Sequence, residues 1–239
     1  MSTMTSTDPA GNDPNDVVVV TGAAGALGHA VLAELRGRQL TVMALDRPSA
    51  ALDKLGDQDG VHPVAVELAD RAAVQAAWQE IDKVGTPAAL VTLAGGFVPG
   101  KLADLDEDVL EGLWRSNVVS MLWSCQQAAP RMAAAGGGAI VTMGSKTAVA
   151  GPAPLAHAAS KAAVVRVTEL LADELRPQGI RVNCVLPSVI DTPANRTWMS
   201  PDLAARAVAP AAVAKVIAFL IDPDAAPVSG ARVPVYGDS

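Results

Sequence analysis

Residues 17–35 read VVVVTGAAGALGHAVLAEL, and no other stretch limits the possible folds so tightly. Four consecutive valines show no polar alternation, which suits a strand covered on both faces at the centre of a parallel sheet. A helical pattern rich in alanine and leucine opens near Ala26, so the chain turns within a few residues. Gly22, Gly25 and Gly28 occupy that turn. Glycine there lets the backbone approach a ligand that a Cβ would hold away, and the helix start beyond it favours an anion. Strand, glycine turn and helix in this order form the setting of a dinucleotide-binding fingerprint. The same glycines also suit a tight strand-to-helix turn with no ligand.

Further apolar strand patterns lie at 40–45, 61–66, 88–93, 139–143, 180–186 and 231–235. Between them run helical patterns: one capped by Asp70, one over 106–135 with Pro130 near its end, and others over 155–176 and 211–221. Strands alternating with helices through short connections predict parallel pairing by right-handed crossovers. The expected fold class is α/β, a doubly wound, Rossmann-type parallel sheet of about seven strands in a single domain over 17–239. Residues 1–16 are polar, lack the basic and apolar parts of a signal peptide, and are expected to be a disordered tail.

Half of the residues are hydrophobic but only 3% are aromatic, so the core is expected to be aliphatic and alanine-packed. A net charge of −7 argues against nucleic acid or an acidic membrane surface as partner. No apolar run approaches the ~20 residues of a membrane span. Cys125 and Cys184 stand far apart without a CxxC, which points to a reducing compartment and no metal site. A cytoplasmic protein is the expectation.

In such a sheet, ligands lie beyond the carboxyl ends of the strands. The candidate cofactor-binding residues are therefore Gly22, Gly25, Leu27 and Gly28, then Asp46 and Arg47, Glu67 and Leu68, Ala94, Gly95 and Gly96, and finally Pro187, Ile190 and Thr192. Asp46 follows Gly28 by 18 residues, close to the spacing of a carboxylate that takes ribose hydroxyls. Its charge repels a 2′-phosphate, which favours NAD(H), while Arg47 beside it keeps NADP(H) open. A solvated loop acid is the plainer reading of Asp46.

His157 and Lys161 lie one helical turn apart and share a face. An imidazole donates hydrogen bonds and transfers protons near neutral pH, and burial beside an ammonium lowers its pKa. His157 is thus expected to be neutral at pH 7. Ser145, just past the fifth strand, is either an ordinary turn hydroxyl or a group that orients a substrate carbonyl. Asn117 stands among apolar helix residues, where its amide needs a partner. Lys146 is expected to be solvated, and His29 and His62 to serve surface or packing. The substrate pocket is expected from residues 97–102, 151–155 and 192–202. The long helix carries Leu113, Trp114, Val118, Met121, Leu122 and Trp123 on more than one side. Such a helix suits burial on two faces, one against the sheet and one, with Leu170 and Leu171, against a partner in a homodimer or homotetramer.

Together these motifs resemble the short-chain dehydrogenase/reductase family over residues 17–237: TGAAGALG from Thr21, the AGG at Ala94, Asn117, Ser145, HAASK ending in Lys161, and LPSVIDTP from Leu186. Within that family, the glycine spacing, the run Ala94-Gly95-Gly96-Phe97, Gly144-Ser145-Lys146 and LPSVIDTPANRTWM are similar to the dihydropteridine reductase subgroup. The resemblance implies NAD(H)-dependent hydride transfer to a small carbonyl, imine or quinonoid, pterin-like substrate. It implies a catalytic set of Asn117, Ser145, His157 and Lys161, with Lys161 on the nicotinamide ribose and Asn117 bending its helix to hold a water. The family motif is Tyr-x-x-x-Lys, whereas this chain has His157-Ala158-Ala159-Ser160-Lys161, and its only tyrosine, Tyr236, has no lysine four residues on. That departure keeps two alternatives open: a lyase or isomerase with His157 as base, and a catalytically inactive dinucleotide-binding protein.

Overall fold

In the computed structural model, which describes residues 15–238, the valine run becomes strand β1 (Asp16–Thr21). Asp16 belongs to that strand rather than to a tail, and the rest of the expected tail, residues 1–14, lies outside the described residues. The valines alternate between two cores: Val17 and Val19 face one side of the sheet, Val18 and Val20 the other, all at most 4% exposed. Covering both faces explains why the run has no polar positions.

Glycine Gly25 caps helix α1 (Ala26–Gly37), and β2 (Thr41–Asp46) returns beside β1. A short α2 (Ala50–Asp53) leads to β3 (Val61–Ala65), and α3 (Arg71–Ile81) crosses the sheet to β4 (Thr86–Thr92). Asp70 caps α3 as expected, its Oδ1 accepting the amides of Ala72 at 2.8 Å and Ala73 at 3.1 Å. Next come α4 (Glu107–Trp114), α5 (Ser120–Ala134), β5 (Gly138–Met143), α6 (Leu155–Leu175) and β6 (Ile180–Pro187). Short helices α7 (Pro193–Arg196) and α8 (Pro201–Arg206) precede α9 (Pro210–Ile221) and β7 (Arg232–Val235).

All seven strands pair in parallel in the order β3-β2-β1-β4-β5-β6-β7. This is the doubly wound sheet expected from the sequence. Helices α3, α5 and α6 cover the face of Val17 and Val19, and α1 and α9 cover the other. Chain order reverses between β1 and β4, so the loops after those strands part and leave a crevice above their carboxyl ends. Among the described residues, no helix is long and apolar enough to cross a membrane.

One expectation fails in detail. The helix read as continuous over 106–135 is broken by a π turn, Arg115–Val119, between α4 and α5. A π turn widens the helix by one residue and changes the direction of the side chains it carries. Here it lies where the buried amide of Asn117 meets the loop after β4, a tertiary contact that hydrophobic spacing does not report.

Candidate active site

The glycine turn is shaped by close backbone approach. Gly22 has φ +70°, and a Cβ there would lie 2.6 Å from the amide nitrogen of Ala94. A Cβ on Gly28 would lie 2.4 Å from the carbonyl oxygens of Gly22 and Ala23. Gly25 is exposed and offers no side chain to the first amides of α1. Asp46, at the end of β2, is tied to this turn: its Oδ2 accepts the Ala24 amide at 2.9 Å and its Oδ1 the Arg47 amide at 2.8 Å. The carboxylate is half-buried rather than free in solvent.

Gly22, Gly25, Asp46, Arg47, Glu67, Leu68, Ala94, Gly95 and Gly96 border a crevice of about 440 Å³. The other expected contacts do not border this crevice. Leu27 packs against the core beneath α1, and Gly28 sits buried under the turn. The Thr192 hydroxyl accepts the Asn195 amide at 3.1 Å and so caps α7. Pro187 and Ile190 border a second cavity of about 480 Å³, above β5 and β6.

That second cavity holds Ser145, His157 and Lys161 together. The His157 imidazole is only 8% exposed and stands edge-on to Phe97, with ring centroids 5.0 Å apart at 70°. Its Nδ1 lies 3.4 Å from Thr147 Oγ1, which is 2.8 Å from Ser145 Oγ. Thr147, absent from the expected set, joins the serine to the histidine. In the sequence it reads as an ordinary turn residue, and only the Ser-x-Thr spacing hints at it.

Lys161 is buried, and its Nζ donates to the Met143 carbonyl at 2.8 Å. Burial lowers its pKa to about 8, partly opposed by the Cys184 thiol group behind it. Burial, and then the Lys161 charge, lowers the His157 pKa to about 4, so the imidazole is neutral at pH 7. Asn117 uses its whole amide on neighbours. Its Oδ1 accepts the Gly96 amide at 2.9 Å, and its Nδ2 donates to the Gly96 carbonyl at 3.2 Å and to Ser160 Oγ at 2.9 Å. Its side chain thus holds the Gly95-Gly96 loop against α6. Lys146 is half-buried rather than solvated, its Nζ 5.0 Å from the centre of the Tyr236 ring. His29 and His62 are exposed.

Residues 16–202 match the family described as short chain dehydrogenase. The chain belongs to that family. D-threitol dehydrogenase of Mycolicibacterium smegmatis is 33% identical over 241 residues, covering 92% of this chain and 91% of the relative. D-xylose 1-dehydrogenase of Caulobacter vibrioides is 31% identical over 228 residues, covering 89% and 91%. The crystal structure of 3-ketoacyl-(acyl-carrier-protein) reductase from Brucella melitensis complexed with NADH superposes with a TM-score of 0.86 at 26% identity, covering 93% of this chain and 97% of that one. The protein is an oxidoreductase that uses a nicotinamide cofactor.

The residues present fit such a group. Gly22 and Gly25 border the crevice at the start of α1, where a Cβ on Gly25 would meet only the Gly22 carbonyl oxygen at 3.3 Å, and the Asp46 carboxylate borders the same crevice. Lys161 adjoins the far side of the AGG loop, since a Cβ on Gly95 would lie 3.3 Å from its Nζ. The loop 97–102 contributes only Phe97 to the second cavity, and 151–155 contributes Gly151 and Pro152. The expected segment 192–202 contributes Asn195 and Trp198, and Val189 and Leu203 on either side of it add to the outer wall.

Proposed function

We propose that the protein transfers hydride between NAD(H) and a small carbonyl, imine or quinonoid substrate, with His157 standing in for the family's tyrosine. One observation carries this reading: a buried, neutral imidazole shares a cavity with Ser145 and Lys161 and is linked to the serine through Thr147. When bound, the nicotinamide supplies or takes the hydride and its two electrons. Lys161 would hold the ribose end of the cofactor, and Asp46 its adenosine ribose. The charge of Asp46 favours NAD(H) over NADP(H).

Ser145 and an N–H of His157 donate hydrogen bonds to the substrate oxygen or nitrogen. With a pKa of about 4, the imidazolium is scarce at pH 7, so His157 polarises the acceptor during reduction and accepts the alcohol proton during oxidation. The proton that completes reduction then comes from solvent. A quinonoid acceptor suits such a site because its reduced oxygen is a stable phenolate and needs little acid. A pterin-like compound belongs to that class and agrees with the segment likeness to dihydropteridine reductase. Leu110, Trp114 and Leu170 stay about half exposed on α4 and α6, which supports a homodimer or homotetramer closed over these helices.

The test replaces His157 with Phe and with Tyr and follows NADH oxidation. The phenylalanine variant should lose on the order of 100-fold in kcat/KM, and the tyrosine variant should recover part of it. Unchanged rates in both remove His157 from the chemistry. Product formed with no change in nicotinamide absorbance would support the lyase or isomerase alternative instead.

A further inference from the structure

We infer that the substrate is a carbonyl compound with an apolar body, aliphatic or aromatic, and not a polyhydroxylated one; this deepens the oxidoreductase reading and rests on it. The hydrogen-bonding side chains nearest the histidine gather at one place in the substrate cavity. Ser145, Thr147 and His157 form a single polar pole. Most of the remaining wall is apolar, with Phe97, Pro152, Val189, Ile190, Trp198 and Leu203 as its larger side chains, and Lys146, Lys161, Ser188 and Asn195 are the other polar residues on it. Phe97 and Trp198 are 52% and 53% exposed, so two large apolar side chains stand uncovered at the mouth.

The other polar side chains on that wall are partly spent on the protein itself, among them Lys161, whose Nζ donates to the Met143 carbonyl at 2.8 Å. The Asn195 amide donates to the Ile190 carbonyl at 2.9 Å, and the Ser188 hydroxyl donates to the Tyr236 carbonyl at 2.7 Å. The Lys146 ammonium stacks on the Tyr236 ring. A ligand with one carbonyl therefore finds its hydrogen bonds at the pole and apolar contact over most of the rest of the wall. A ligand with further hydroxyls must set them against carbon, where each unpartnered hydroxyl weakens binding by on the order of tenfold. A cavity of about 480 Å³ also falls in the range of small-molecule sites.

The test uses two ketones of equal heavy-atom count, 3-pentanone and dihydroxyacetone, in which two methyl groups are exchanged for hydroxyls. Binding to the NADH-loaded protein is read by saturation-transfer NMR, and turnover by NADH oxidation. The expected result is at least about tenfold tighter binding, and a matching kcat/KM advantage, for 3-pentanone. Val189→Thr, which adds a hydroxyl to the wall without changing its size, should narrow that preference severalfold, and Trp198→Gln should narrow it again. Equal or tighter binding of dihydroxyacetone, or no binding of either ketone, overturns the substrate class and leaves the oxidoreductase reading intact. A separate titration showing no NADH binding overturns the oxidoreductase reading itself.

Discussion

The crevice above β1 and β4 is walled mostly by main chain, whereas the cavity above β5 and β6 is walled by side chains on loops and short helices. In the first, Gly22 and Gly28 leave no room for a Cβ, and Asp46 is held to the turn by the Ala24 amide. In the second, Phe97 and Trp198 stand half exposed, and the polar pole is held by two hydroxyls and an imidazole. A backbone-built site is confined to one ligand shape and shows itself as a motif. A side-chain-built site is re-specified by single substitutions, which lets one fold serve many substrates.

The sharpest way to break this contrast is Gly22→Val. With φ at +70° and a Cβ 2.6 Å from the Ala94 nitrogen, the variant should lose more than ~3 kcal/mol of stability or fail to fold, as read by urea denaturation. A well-folded variant that still binds NADH would show that the crevice is not backbone-limited. Asn117→Ala comes next. It removes the partner of the Gly96 amide and carbonyl and of Ser160, and should cost about 2–3 kcal/mol and weaken NADH binding measured by calorimetry.

The cavity side responds to pH. The His157 pKa falls from 6.5 in the free side chain to about 4 in the folded protein, so the unfolded chain binds more protons between those values. Stability should therefore drop as pH is lowered from 6.5 towards 4, by on the order of 2 kcal/mol, and His157→Gln should lack that component. In the oxidative direction, kcat/KM should hold steady down to about pH 5 and then fall. It should fall again above about 8, as buried Lys161 loses its charge. The smallest effect is a control for the glycine turn. A Cβ on Gly37, at the end of α1, meets nothing within 4 Å, so Gly37→Ala should stabilise the protein by about 0.5–1 kcal/mol and leave NADH binding unchanged.

The same contrast explains what could be read in the chain beforehand. The doubly wound parallel sheet, the glycine turn and the placing of His157 and Lys161 on one helix face are legible because they rest on periodicity and spacing, which local sequence carries directly. The π turn at Asn117 is absent from the hydrophobic spacing, and only the family resemblance implies a bend there, because it depends on a contact between residues 21 apart, Asn117 and Gly96. Thr147 was missed because a turn hydroxyl looks the same whether or not an imidazole lies beside it. Leu27 and Thr192 were assigned to the cofactor from position along the chain, yet core packing and helix capping use their side chains. Helices α7 and α8 are too short for a periodic pattern.

The central claim is that hydride passes between the nicotinamide and a substrate carbon in the cavity of His157. NADH carrying deuterium at C4 on the transferred side, incubated with 3-pentanone, tests it directly by mass spectrometry of the alcohol product, whose new C–D bond does not exchange with water. One deuterium on the reduced product is the predicted result. Product that forms without deuterium, while the label stays on the nucleotide, would contradict it.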